Sequence, residues 1–472
     1  MKTSSAWSRY DEAQLNELEA FAQDYREFIS KNKIEREFVA ASVELAERAG
    51  YRNLDELIRR NERLEAGSRV YASMRDKSLI LVEVGKQPLT EGCNILGAHI
   101  DSPRLDIKQN PLEEKNDLAY LDTHYYGGIK KYQWVTIPLA LHGVVVKTDG
   151  TVIPICIGED ADDPVFVITD LLIHLSQEQL EKNAAKVIEG EMLDVLCGNR
   201  PLVVKGAPDA NAAEEQEPKD PVKQKVLSLL SERYGMEEED FLSAEIEVVP
   251  AGPARDLGLD RSMILGYGHD DKSCAYPSLC AQIGLDETPE RTALTILVDK
   301  EEIGSVGSTG MTSRFFENVV AELLALCGYG DSSLALRRCL ANSRMLSSDV
   351  SSAFDPSFAS AFEPKNVAYM GHGLAFLKFT GARGKSGSND ADAEYVAFIR
   401  RIMGEADVNW QNAELGRVDL GGGGTIAYIL AKYGIQVIDC GVPVLSMHAP
   451  WEVISKADLY EALRGYRAFL AS

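Results

Sequence analysis

Ala293-Leu294-Thr295-Ile296-Leu297-Val298 runs directly into Asp299-Lys300-Glu301-Glu302-Ile303-Gly304-Ser305. The first six residues are apolar or β-branched, the pattern of a buried strand. Two adjacent carboxylates stand where that strand emerges. Crowding acids at such an edge gains a fold little stability. A hydrolase that binds metal ions can use both, one as ligand and the other as general base.

The arrangement recurs along the chain. Residues 94–98 lead into His99-Ile100-Asp101, residues 263–268 into His269-Asp270-Asp271, residues 344–348 into Asp349, and residues 442–447 into His448. In open α/β sheets, ligands bind outside the carboxyl ends of the strands. Strands ending together would gather His99, His448, Asp270, Asp349, Glu301 and Glu302 in one crevice. Singly, each has a plain reading. A strand-end His is a hydrogen-bonded surface residue, Asp270-Asp271 and Asp349 are helix caps, and Glu301-Glu302 is a solvated pair. Jointly, the plain readings demand a string of coincidences in one chain.

The constellation suits zinc, which takes imidazole nitrogen and carboxylate oxygen and leaves a position open in catalytic sites. Two ions need a shared ligand, and a carboxylate has two oxygens; Asp270 is the candidate bridge. His99 and Asp349 would complete one site, Glu302 and His448 the other. Two dications against three carboxylates leave a net positive charge, which acidifies water and favours an oxyanion. Asp101 can accept the second ring N–H of His99 and fix its tautomer. Glu301, left without an ion, would carry a proton from water to the leaving amine. Co²⁺ or Mn²⁺ can fill the same ligand set.

Bulk properties narrow the class. A chain of 472 residues holds two or three domains, and its net charge of -24 argues against nucleic-acid partners. Apolar content of 45% and charged content of 26% are ordinary for a globular protein. The N-terminal residues lack the apolar core of a signal peptide, and no apolar stretch approaches the ~20 residues of a membrane span. The eight cysteines are scattered without a Cys-x-x-Cys pair. They read as reduced thiols of a cytoplasmic protein.

The expected organisation is a catalytic α/β domain in two parts, residues 1–103 and 254–472, around an inserted β-rich domain of residues 104–253. Residues 16–50 carry helical periodicity. Within the insert, residues 133–137 and 141–147 read as strands, Asp149-Gly150 as a hairpin turn, residues 208–221 as a mobile loop, and residues 223–234 as a helix. Residues 392–403 and 425–433 are the clearest later helices. Gly421-Gly422-Gly423-Gly424-Thr425 reads as a turn opening the second of these, where an anion or a substrate backbone could sit. His124 and His142 read as turn or strand-face residues, His269 as a packing residue, His372 as a loop residue, and His174 as a core or interface residue.

Taken as a set, residues 97–103, residues 301–305, Ser348-Asp349 and Met447-His448 resemble the aspartyl aminopeptidase/aminopeptidase I family of dizinc exopeptidases. The resemblance spans nearly the whole chain, and residues 126–134 are similar to the bacterial branch. It implies a zinc-exopeptidase α/β fold, a mixed sheet flanked by helices, with an inserted β-rich dimerisation domain. It also implies tetrahedral dodecamers built from dimers, and removal of N-terminal residues from peptides with a free N-terminus. The family's ligand roles fall on the residues assigned above. Its active-site histidine from a neighbouring subunit matches His174, and its basic pocket residue falls near Lys378 or Lys385. Gly423 and Thr425 lie in its substrate-binding segment. Asp271 stands where many relatives have Asn, and the glycine tract replaces the Pro-Cys-Gly-Thr of aspartyl-specific relatives. A neutral or hydrophobic N-terminal residue is therefore as good a substrate expectation as an acidic one. Two rivals remain: an N-acyl amino acid deacylase or carboxypeptidase with the same kind of metal site, and an inactive shell-forming scaffold.

Overall fold

A computed structural model describes residues 4–203 and 219–472. Most of the 208–221 stretch expected to be a loop lies outside the described residues. The chain divides into two compact units, one of residues 1–102 and 253–472, the other of residues 103–252.

The larger unit is mixed α/β, built on a nine-stranded sheet. In spatial order its strands are Arg52–Asn53, Arg69–Met74, Ser78–Glu83, Thr292–Val298, Cys93–His99, Arg344–Ser348, Gln436–Gly441, Leu374–Leu377 and Trp410–Asn412. Thr292–Val298, Cys93–His99, Arg344–Ser348 and Gln436–Gly441 run parallel at its centre. Helices cover both faces, so the central strands alternate between two apolar cores. Leu96, Ala98, Leu297 and Leu346 face one core; Ile95, Ile296, Val298 and Met345 face the other. This two-sided burial explains why these strands read as nearly unbroken apolar runs. Because the central strands are parallel and in register, His99 pairs across from Val298, and Asp299 and Asp349 follow at the same edge.

A second sheet of the same unit has the order Arg255–Leu257, Met263–Gly266, Glu452–Ser455, Pro443–Leu445 and Ser351–Ser352. Its presence corrects one expectation. The segments leading to Asp270 and His448 belong to this sheet, not to the sheet bearing His99, Glu301 and Asp349. Short apolar runs look alike whichever sheet they join. Here Glu452–Ser455 pairs antiparallel with both Met263–Gly266 and Pro443–Leu445 and holds them together.

The smaller unit is a six-stranded antiparallel sheet with the helix Pro221–Tyr234 beside it. Asp149 accepts the Thr151 N–H at 2.8 Å in the turn between Leu139–Val146 and Val152–Ile157. The expected strand at 133–137 is absent. Lys131–Gln133 is a single helical turn, Trp134 is fully buried, and Thr136 has φ 61°, which a pleated strand cannot accommodate. The expected helix at 425–433 shortens to Ala427–Ala431, because the Lys432, Tyr433 and Gly434 N–H groups bond to carbonyls three residues back and close tight turns instead of a further helical turn. The 392–403 expectation matches Ala393–Glu405, with the Asp392 side chain capping the Tyr395 N–H at 2.7 Å. Among the described residues, no single helix is long and apolar enough to cross a membrane.

Candidate functional site

The acidic turn that closes Thr292–Val298 is built by its backbone. Lys300 takes a left-handed conformation, φ 70°, and Glu301–Ile303 form one tight helical turn. That bend points the backbone N–H groups of Glu301 and Glu302 at Asp101, whose two carboxylate oxygens accept them at 3.1 and 3.2 Å. Asp101 also sits against the His99 ring, with Oδ1 at 3.3 Å from Nδ1 and its own carbonyl oxygen at 3.0 Å. One buried carboxylate thus holds both the His99 ring and the Glu301-Glu302 turn. The second of these duties is not legible from the His-x-Asp spacing.

Asp270 lies at the centre. Its Oδ1 is 3.2 Å from His99 Nε2, and its Oδ2 is 3.2 Å from His448 Nε2. His99 Nε2 is 3.9 Å from Asp349 Oδ1, and His448 Nε2 is 3.5 Å from Glu302 Oε2. Possible ligand atoms of His99, Asp270 and Asp349 lie within 4.8 Å of one another, as do those of Asp270, Glu302 and His448, and those of His99, Glu301 and Glu302. Segments from two sheets therefore meet at one carboxylate.

Residues outside the expected set support this cluster. Glu452, buried on the strand joining the second sheet, accepts the Asp270 N–H at 3.0 Å and the His448 N–H at 2.7 Å. Asp271 accepts the His99 N–H at 3.2 Å. The Ser102 hydroxyl donates to the Asp270 carbonyl at 2.9 Å, and buried Lys272 donates to Ser102 at 2.7 Å. Glu452 gave no signal in the sequence, because an isolated Glu after Pro450-Trp451 resembles any surface acid. Asp271 and Lys272 had only their adjacency to Asp270.

The electrostatics of the cluster call for cations. Burial pushes Glu301 up to about 7 and Glu452 up to about 8, and lifts Asp271, Glu302 and Asp349 well above the usual carboxylate range. Burial also opposes ionisation of Asp270, but hydrogen bonds to His448 and His99 outweigh it and hold Asp270 low. For His99, burial opposes the charged ring while Asp101 and Asp270 drive it up. Two imidazoles cannot balance this many acids. Glu302 Oε1 is buried and has no hydrogen-bond partner. A divalent cation would satisfy that orphaned oxygen, and the mixed imidazole and carboxylate donors suit zinc.

The remaining expected site residues lie outside the cluster's contacts. Lys378 and Lys385 both pair with Asp390. Thr425 Oγ1 donates to buried Asp439 at 2.6 Å, and the Gly423 N–H to the Thr380 carbonyl at 3.1 Å. His174, expected as a core or interface residue, is not in the core. It lies in the other unit, on the exposed turn Ile173–Leu175. His269 packs as expected, its Nδ1 2.7 Å from the Tyr25 hydroxyl, and burial lowers it to about 3.

Residues 28–470 match the family described as Aminopeptidase I zinc metalloprotease (M18). The chain belongs to this family. It is 57% identical over 466 residues to a probable M18 family aminopeptidase 1 of Clostridium acetobutylicum, covering 99% of this chain and 97% of that one. The crystal structure of an M18 aminopeptidase from Thermotoga maritima superposes with a TM-score of 0.92 at 43% identity, covering 100% and 99% of the two chains. The dodecameric mature aminopeptidase 1 of Saccharomyces cerevisiae shares the fold, with a TM-score of 0.74 at 18% identity over 95% of this chain and 96% of that one. The M18 protein described here is thus a metallo-aminopeptidase, a hydrolase of the zinc-dependent kind.

Proposed function

We propose that this M18 enzyme holds two zinc ions per subunit and removes N-terminal residues from peptides with Glu301 as general base. The observation that carries the reading is Asp270, whose two oxygens face His99 and His448 at 3.2 Å each. His99 and Asp349 would hold one ion and Glu302 and His448 the other, with Asp270 shared; Co²⁺ or Mn²⁺ could substitute. Bound there, the ions supply Lewis acidity toward the scissile carbonyl and toward water.

The chain's own residues do the rest. Asp101 fixes the His99 ring and, through the backbone N–H groups of Glu301 and Glu302, the direction of the acidic turn. Glu301, pushed up to about 7 by burial, can accept a proton from the attacking water and return it to the leaving amine. Gly423 and Thr425 are assigned to the substrate side, as are His174 and Lys378. The pairing of Lys378 and Lys385 with Asp390 favours a neutral first residue over an acidic one.

Self-assembly belongs to the same reading. The smaller unit would mediate dimer contacts, and dimers would build a tetrahedral dodecamer in the cytoplasm. The yeast dodecamer of the same fold supports assembly from many copies, and the exposed apolar segment around His174 supports a contact through the smaller unit.

The test is Glu301→Gln. It should retain the metal content of the wild type while turnover on aminoacyl-anilides falls by about 10²–10⁴. Near-normal turnover removes Glu301 from the mechanism. Wild-type hydrolysis of N-acetylated amino acids alone would make the protein a deacylase. Full metal occupancy without any turnover would make it a scaffold.

A further inference from the structure

Asp270 stands at the start of the helix His269–Ile283, yet its backbone is not helical, with φ -78° and ψ 105°. Helical hydrogen bonds therefore do not place it. Side chains from distant segments do: Glu452 accepts its N–H at 3.0 Å, and Ser102 donates to its carbonyl at 2.9 Å. A third anchor is His269, one residue earlier.

His269 is fully buried, and so is Tyr25 on the N-terminal helix Glu12–Lys31. The imidazole Nε2 lies 3.2 Å from the Ile264 carbonyl oxygen, and Nδ1 lies 2.7 Å from the Tyr25 hydroxyl. A carbonyl can only accept, so Nε2 of the neutral ring carries the proton. Nδ1 then accepts, and the Tyr25 hydroxyl donates. Both ring nitrogens are committed, which fixes one tautomer and one orientation. The seat is close-fitting: a Cβ on Gly266 would lie 3.2 Å from the imidazole.

Packing does not require this polar pair. Two apolar side chains of the same shape would fill the space with about the same stability. What the hydroxyl and the imidazole add is direction. The helix carrying Tyr25 is itself fastened: Lys456 pairs with Glu19 at 2.6 Å, Tyr460 donates to Glu17 at 2.6 Å, and Arg26 pairs with Asp256 at 3.0 Å. The hydroxyl thus comes from a fixed platform.

We propose that Tyr25 is a positioning residue for the metal centre: its hydroxyl, by fixing the His269 ring, holds Asp270 so that its two oxygens face the two ion positions. The proposal rests on the two-ion reading above and adds the N-terminal helix to what builds that site. Tyr25 acts through His269 and not on the substrate.

The test uses the full chain, with zinc alone as the probe. Tyr25→Phe keeps the ring and removes only the hydroxyl. Zinc affinity, measured by competition with a chromogenic chelator, should fall about tenfold, the scale of losing a group that orients a ligand. The visible absorption of the cobalt-loaded variant should shift as well. Tyr460→Phe is the control, because it removes a hydrogen bond to the same helix without touching His269. Whatever its Tm, its zinc affinity and cobalt spectrum should stay those of the wild type. Tyr25→Phe should add nothing to the loss caused by His269→Leu, since both remove one interaction. His269→Gln, which keeps a donor and an acceptor, should bind zinc more tightly than His269→Leu. Unchanged affinity and spectrum in Tyr25→Phe overturn the proposal. So do equal losses in Tyr25→Phe and Tyr460→Phe, a further loss on adding Tyr25→Phe to His269→Leu, or equal affinities in the two His269 variants. If the wild type binds fewer than two zinc ions per chain, the two-ion reading has failed instead, a result none of these variants can produce.

Discussion

The metal cluster and the 165–180 segment of the inserted unit treat side chains in opposite ways. In the cluster, acids are buried: Asp101, Asp271 and Glu452 are almost wholly removed from solvent. In the inserted unit, apolar side chains are left out: Leu172 is 52% exposed, and Ile173 and Leu175 are each 68% exposed. Both arrangements cost free energy in an isolated chain. A buried carboxylate loses hydration, and an exposed leucine keeps water ordered around it. Each therefore implies something the single chain does not contain, cations in one region and another protein surface in the other. The lesson is that the two deficits are chemically distinct and can be tested independently.

The largest effect should come from Asp270, the carboxylate proposed to serve both ions. Asp270→Ala removes the carboxylate whose two oxygens each face a histidine at 3.2 Å, so both metal positions should empty together and activity should fall roughly a thousandfold or more. Elemental analysis beside an activity assay checks this. Retention of one ion per chain would mean Asp270 serves a single site. The oligomeric state should not change, since the inserted unit is untouched.

A smaller effect separates the regions by pH. In metal-free protein Glu301 and Glu452 are raised to about 7 and about 8, while in the unfolded chain they titrate near 4.5. The folded state then binds these protons more tightly than the unfolded state. Their stabilising contribution is fully present below about pH 4.5 and is lost as pH rises toward 8. Chelated enzyme should melt at a lower temperature at pH 8 than at pH 6, and zinc should flatten that slope. A pH-independent Tm in chelated enzyme would show that the acids are relieved by some other means.

How much of this could be read from the sequence depended on periodicity. Thr292–Val298, Cys93–His99 and Arg344–Ser348 are buried on both faces, so their apolar runs and acidic or imidazole ends stood out. The clustering of His99, Asp270, Glu302, Asp349 and His448 followed from strand-end logic, but the sheet assignment did not. Met263–Gly266 and Pro443–Leu445 are too short for a run of side chains to declare which partner they take. Glu452 was silent for another reason. It acts on Asp270, a residue distant in sequence, and no local spacing encodes that. The 133–137 run misled because β-prone residues say nothing of Thr136 at positive φ.

The smallest effect on each active site, and the sharpest on assembly, should follow changes in the inserted unit. Ile173→Asp and Leu175→Asp place charges on an exposed apolar turn, where they cost the folded chain almost nothing. If that turn is covered by a second copy, two buried and unpaired carboxylates per contact should dissociate the assembly. Light scattering would then show a smaller particle at unchanged zinc content per chain. Activity would separate two roles for His174 on the same turn. Were it to reach a neighbour's substrate, turnover should drop with dissociation and not recover on adding zinc. Were the turn only an adhesive surface, the dissociated subunits should keep nearly all of their turnover. An undiminished particle size in both variants would remove this segment from the interface altogether and leave its exposed leucines unexplained by self-assembly.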